Sequence, residues 1–166
     1  MLQRRSLFAL PVAALLGGCG FKLRGKQNYA FETIAVTPEK GAAVASELSR
    51  YLGDMVRPVA PPAGGVPPAV IVDILGETRE KVIVALNASG QVREYQLRIK
   101  VRFRMRTSQG RDLIEPTDIL QERDISFNES AVLAKEAEEV LLYRDMQSDI
   151  VQQLLRRIAA VKNLNP

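Results

Sequence analysis

Between Tyr95 and Arg106 the chain alternates without a break: Tyr95, Leu97, Ile99, Val101, Phe103 and Met105 are apolar or aromatic, while Gln96, Arg98, Lys100, Arg102, Arg104 and Arg106 are polar. Successive side chains leave a pleated backbone on opposite sides, so a period of two describes a strand buried on one face only. One face belongs to a core, and the other carries five consecutive cations. Like charges at every second residue stand roughly 7 Å apart and repel. Opposing acids or an anionic ligand must offset them.

The segments around this strand supply the rest of the layer. Phe31 to Thr37 reads as a first strand ended by Pro38. Val44, Leu48, Leu52 and Met55 recur at helical spacing between Gly41 and Met55, with Gly53 and Pro58 as stop signals. Arg57 to Pro68 holds five prolines and two adjacent glycines, and reads as a surface connection. Ala69 to Leu75 is nearly all apolar, as in a strand near a sheet centre. Val82 to Leu86 is its extension or a further strand, so the break between residues 76 and 82 stays open. Turns at Asn87–Gly90 and Thr107–Gly110 bracket the alternating strand, and another strand is expected after Pro116. Asn128 and Ser130 are candidate caps for a final helix of about thirty residues. Its apolar side consists of Leu133, Ala137, Val140, Ile150, Leu154, Ile158 and Val161 and is assigned to the core. Strand, helix, several antiparallel strands and helix make an α+β layer with two helices on one sheet face. The cations lie on the other face.

The first residues target the chain for export. Arg4 and Arg5 precede an apolar stretch from Ser6 to Leu16, too short to span a bilayer, and Leu16-Gly17-Gly18-Cys19 has the form of a bacterial lipobox. The expected organisation is a cleaved leader over residues 1–18, a lipidated tether over 19–30 and a single α+β domain over 31–162. Lipid on Cys19 would anchor the protein to a membrane, and Gly20, in place of an aspartate, favours the outer membrane. Cleavage removes two arginines and no acids, so 21 basic and 19 acidic residues leave a net charge of +2. With no histidine, one cysteine, and no nucleophile-elbow, phosphate-loop, dinucleotide or zinc motif, the chain is expected to be neither an enzyme nor a cofactor carrier. Export also puts nucleic acid out of reach.

Cys19-Gly20-Phe21-Lys22-Leu23-Arg24, then Glu94-Tyr95-Gln96-Leu97, then Leu133-Ala134-Lys135-Glu136-Ala137-Glu138 occur in an order and spacing that resembles the LptE family of lipopolysaccharide-assembly lipoproteins. The resemblance implies a non-enzymatic plug in the lumen of the outer-membrane β-barrel LptD, helping lipopolysaccharide reach the outer leaflet. It also implies a two-layer sandwich, two helices on one face of a mainly antiparallel, mixed four-stranded sheet, in agreement with the layer above. By the same resemblance Lys135 is a lipopolysaccharide-binding candidate. Relatives also place a basic residue in the turn before Glu94-Tyr95-Gln96; here residues 87–92 have none, and the first, Arg93, is the lipopolysaccharide-binding candidate in its place.

Three readings of Arg98, Lys100, Arg102, Arg104 and Arg106 follow. The strip meets phosphates of the glycolipid; or Glu122, Asp124, Glu77 and Glu80 balance it on a solvated face; or it contacts a polar barrel lumen. Lys135 likewise binds glycolipid or is an exposed lysine paired with Glu138 or Glu139. Arg123 breaks the apolar parity of its strand, without an account from sequence. The functional alternative is an anchored structural or transport-accessory lipoprotein with another protein partner and no lipopolysaccharide affinity.

Overall fold

The computed structural model describes residues 28–38 and 40–164. The leader, Cys19 and most of the expected tether lie outside the described residues. In chain order the elements are β1 (Ile34–Thr37), α1 (Ala43–Leu52) with a 3-10 turn at Gly53–Met55, β2 (Val70–Leu86), β3 (Val92–Thr107), β4 (Asp112–Ser126), and α2 (Val132–Ala160) after a 3-10 turn at Glu129–Ala131. The sheet order is β1-β2-β3-β4. β1 pairs with β2 in parallel, which needs a crossover that α1 supplies, and the other two pairings are antiparallel. Both helices pack on one face, α1 against β1 and β2, α2 against β3 and β4. This is the expected α+β, two-helix, four-strand architecture.

The core follows the alternation. Leu97, Ile99, Val101, Phe103 and Met105 are fully buried beneath Met146, Ile150, Leu154 and Ile158 of α2, while Val44 and Leu48 of α1 cover Ile34, Val70 and Val72. Each such side chain contributes about 1.5–3 kcal/mol on leaving water. Both hairpin turns close in the same way: Gly90 donates to the Asn87 carbonyl and Gly110 to the Thr107 carbonyl, with φ of 81° and 95° that favour glycine.

β2 settles the open break, because Val70 to Leu86 is one strand. Its register slips between Ile74 and Gly76, leaving Leu75 as the extra, exposed residue of a bulge. The slip reverses parity. Val70, Val72 and Ile74 face the helices before it; after it Glu77, Arg79, Lys81 and Ile83 do, opposite Val101, Ile99, Leu97 and Tyr95. An apolar run thus continues as a strand whose covered face is mostly charged.

Two expectations need correction. β4 begins at Asp112, ahead of Pro116, and includes the proline. It is an edge strand, where the missing N–H breaks no ladder bond on the open side. The apolar side of α2 is core only in its second half. Ile150, Leu154 and Ile158 are buried, but Leu133 is 82% exposed and Val140 67% exposed, with Leu141 also exposed beside them. In this first half of α2 the side that meets the sheet is taken by Lys135, Glu139 and Tyr143, which contact β4 and β2, and the apolar stripe is left turned to solvent.

Candidate functional site

The outer sheet face holds the cationic strand, and neighbouring strands neutralise most of it. Arg98 Nε lies 3.0 Å from Glu122 and Lys100 Nζ lies 3.0 Å from Asp118, both on β4. On β2, Asp73 Oδ2 accepts from Arg104 Nε at 2.8 Å and from Arg106 Nε at 2.7 Å, while its Oδ1 accepts from Thr37 of β1. Burial raises the Asp73 pKa, but the hydrogen bonds from Arg106, Thr37 and Arg104 outweigh it and hold the carboxyl below its ordinary range. The same carboxylate, by its hydrogen bond, raises the pKa of Arg106. Among the described residues Arg102 has no hydrogen-bond or ion-pair partner, although it stands in register with Asp118.

The acids that balance the strip are only partly the expected ones. Glu122 does so, whereas Asp124 accepts from Gln96. Glu80 stands opposite Arg98 in the register without an ion pair. Glu77 is on the wrong face: the bulge at Leu75 turns it toward the helices, where it accepts from the Val44 backbone N–H and from Arg79. Asp118 and Asp73 were missed. Asp73 had left a signal, since a lone acid inside Ala69 to Leu75 requires a partner once buried.

Lys135 and Arg93 lie elsewhere, at the end of the molecule formed by the β2–β3 turn and the start of α2. Lys135 Nζ donates to Ser126 at 3.0 Å and to Glu138 at 2.8 Å, the pairing that the alternative reading expected, and its side chain is 23% exposed. It borders a recess between α2 and the sheet whose apolar lining includes Tyr95, Ile125, Phe127 and Val132. Phe127 stands edge-on to Tyr95, with ring centroids 5.4 Å apart at 84°. Arg93, two residues before Tyr95, lines a shallow cleft on the other side of Phe127, and its carbonyl accepts from the Phe127 N–H.

Lys81 of β2 reaches the same recess, a residue that the sequence reading did not single out. Its Nζ lies 2.6 Å from Glu139 and 4.4 Å from the Tyr95 ring centroid. The hydrogen bond it donates to Glu139 is the chief reason its pKa is raised. Only the bulge's parity reversal puts Lys81 on the helix side. The candidate residues therefore form two groups, Arg98 to Arg106 on the outer face and Lys135 with Arg93 around the Tyr95–Phe127 pair.

A polar seam joins the middle of α2 to β2 and β4. Arg79 donates to Gln147, the Tyr143 hydroxyl donates to the Glu80 carbonyl, and Arg123 pairs with Asp149 at 3.0 Å. The last contact accounts for Arg123: it points toward the helices because α2 offers it a carboxylate. Between the helices, buried Glu47 of α1 accepts from Gln147 and Ser148 of α2. Among the described residues there is no helix long and apolar enough to cross a membrane, and no acidic, cysteine or histidine cluster suited to a metal.

Comparison with known proteins gives a consistent answer. Residues 31–158 match the family described as LptE, lipopolysaccharide-assembly. The solution structure of an uncharacterised lipoprotein B from Nitrosomonas europaea is 36% identical with a TM-score of 0.67, covering 85% of this chain and 91% of that one. The crystal structure of rare lipoprotein B from Shewanella oneidensis shares the fold at 20% identity and a TM-score of 0.61, over 77% and 92% of the two chains. A minor lipoprotein from Acinetobacter baumannii does so at 23% and 0.62, over 80% and 94%. No curated protein matches by sequence.

Proposed function

The chain belongs to the LptE family of lipopolysaccharide-assembly lipoproteins of the outer membrane, and from that premise we propose that it is a plug of the LptD β-barrel that binds lipopolysaccharide without turning it over. Cleavage before Cys19 leaves a thiol that carries diacylglycerol. Each buried methylene contributes about 0.8 kcal/mol, so two or more acyl chains hold the domain durably at the membrane, with the folded body facing the periplasm and the barrel lumen.

The observation that carries the proposal is the separation of two basic surfaces. The outer face is charged but largely self-neutralised, through Asp73, Asp118 and Glu122. Such a face suits the polar, hydrated interior of a large barrel. Lys135 and Arg93 instead flank an aromatic pair, a combination of cations and apolar surface that matches a phosphorylated, acylated glycolipid. Exposed Leu133, Val140 and Leu141 on the adjoining helix support a partner that covers this end.

Two measurements test the proposal. Extraction of native membranes in mild detergent, followed by affinity capture of this chain, is expected to recover a much larger β-barrel in fixed ratio; recovery of the chain alone would count against the plug. Purified lipopolysaccharide is expected to bind the wild type, to bind Lys135→Glu about fivefold or more weakly, and to be little affected by reversal of Arg102 and Arg104 to glutamate. Equal binding by Lys135→Glu would remove that residue from the glycolipid site.

A further inference from the structure

The recess between α2 and the sheet contains more than a lysine needs for a structural role. We infer that it is a phosphate-recognition site in which Lys81 acts together with Lys135, and in which Glu138 and Glu139 occupy the two ammonium groups until the phosphate of the glycolipid displaces them. The inference rests on the glycolipid reading above and adds to it a second cation and a competing pair of acids.

Three features converge. First, Lys81 and Lys135 come from different elements, β2 and α2, yet line one recess together with Tyr95, Ile125, Phe127 and Val132 and with the carboxylates Glu136 and Glu139. An acylated phosphate needs both: apolar surface for its chain and more than one cation for its charge. Second, each ammonium group is held by a carboxylate of α2 at short range, Lys81 by Glu139 at 2.6 Å and Lys135 by Glu138 at 2.8 Å. Both pairs are partly exposed, where ion pairs add little stability, so they are weak explanations for these residues as structural clamps and are readily exchanged for another anion. Third, Lys81 has a second contact besides Glu139. Its Nζ also lies over the Tyr95 ring at 4.4 Å, and that ring is fixed edge-on by Phe127. When Glu139 leaves, the ammonium group stays where the phosphate arrives.

Exchange of anions has a consequence that a clamp lacks: removing the competing carboxylate must tighten binding. With the full chain in a non-ionic detergent, purified lipopolysaccharide is titrated against wild type, Lys81→Gln, Lys81→Arg and Glu139→Gln, and the series is repeated with the same lipopolysaccharide after enzymatic removal of its phosphates. Lys81→Gln is expected to weaken binding about fivefold, Lys81→Arg to retain most of it, and Glu139→Gln to strengthen it by a similar factor. All three differences should vanish with the dephosphorylated glycolipid. If the wild type binds but Lys81→Gln binds equally well, or Glu139→Gln fails to tighten, the inference is overturned while the glycolipid reading stands. If the wild type binds neither form, the glycolipid reading itself falls. Displacement of bound glycolipid by low-millimolar inorganic phosphate would make this a free-phosphate site, and would also overturn it.

Discussion

Arg106 donates from Nε to Asp73 at 2.7 Å across the β2–β3 ladder, and the carboxylate that receives it is among the few buried charges in the described chain. Through Thr37 and Arg104 the same group ties three strands together. Asp73→Asn keeps the size but loses the charge, and about 2 kcal/mol of stability should go with it, read as a lower denaturant midpoint at unchanged slope. A loss under about 0.5 kcal/mol would mean that the arginines find equivalent partners in water.

The same carboxylate sets an acid limb. Its pKa in the folded state is lowered, so its contribution is fully present above the ordinary aspartate pKa, near 4, and is lost as pH falls through the lower folded value. Stability should be flat with respect to this group from pH 7 to about 5 and should decline below about 4. In Asp73→Asn that part of the decline should be missing when thermal midpoints are compared across the range.

Arg123 and Asp149 meet at 3.0 Å with both side chains about half exposed. Exposed pairs contribute up to about 1 kcal/mol, so Arg123→Ala and Asp149→Ala should each cost less than that. Their double-mutant coupling should be a few tenths of a kcal/mol and should shrink in high salt. A coupling above about 1.5 kcal/mol would indicate that the polar seam is drier than its exposure suggests.

The two halves of α2 should respond oppositely to truncation. Leu154→Ala removes a fully buried side chain over the sheet and should cost about 2–5 kcal/mol. Leu133→Ser and Val140→Ser should stay within about 0.5 kcal/mol in the isolated chain, because both residues remain mostly exposed on folding. Chemical denaturation of the three variants separates the cases.

Glu47 joins the helices by accepting from Gln147 and Ser148 while nearly excluded from solvent. Glu47→Ala leaves both donors without their acceptor and should destabilise by about 1–3 kcal/mol. Hydrogen exchange at the α1–α2 contact should quicken more than exchange in β3; uniform protection across both would place the loss in global stability alone.

Much of this architecture was legible from local pattern. The alternation from Tyr95 to Arg106 specified both faces of β3 without knowledge of its neighbours, since backbone pleat alone determines which side chains share a face. The glycine turns at 90 and 110 and the helical spacing of Val44, Leu48 and Leu52 are equally short-range, and they placed α1, β3 and the two hairpins.

What the chain could not disclose locally was which surface each charged residue would meet. One extra residue at Leu75 moved Glu77 away from the cationic face and carried Lys81 into the recess beside Lys135. Strand register set Asp73 across from Arg104 and diagonal to Arg106, and set Asp118 across from Arg102, from where it pairs diagonally with Lys100. Leu133 and Val140 fit a helical stripe, but Lys135, Glu139 and Tyr143 take the side of α2 that meets the sheet, so the two apolar residues stay largely exposed. Residue type and spacing determine the faces of an element; which charges pair, and which apolar stripes are covered, depends on the register and packing of segments distant in sequence, and only the tertiary structure sets those.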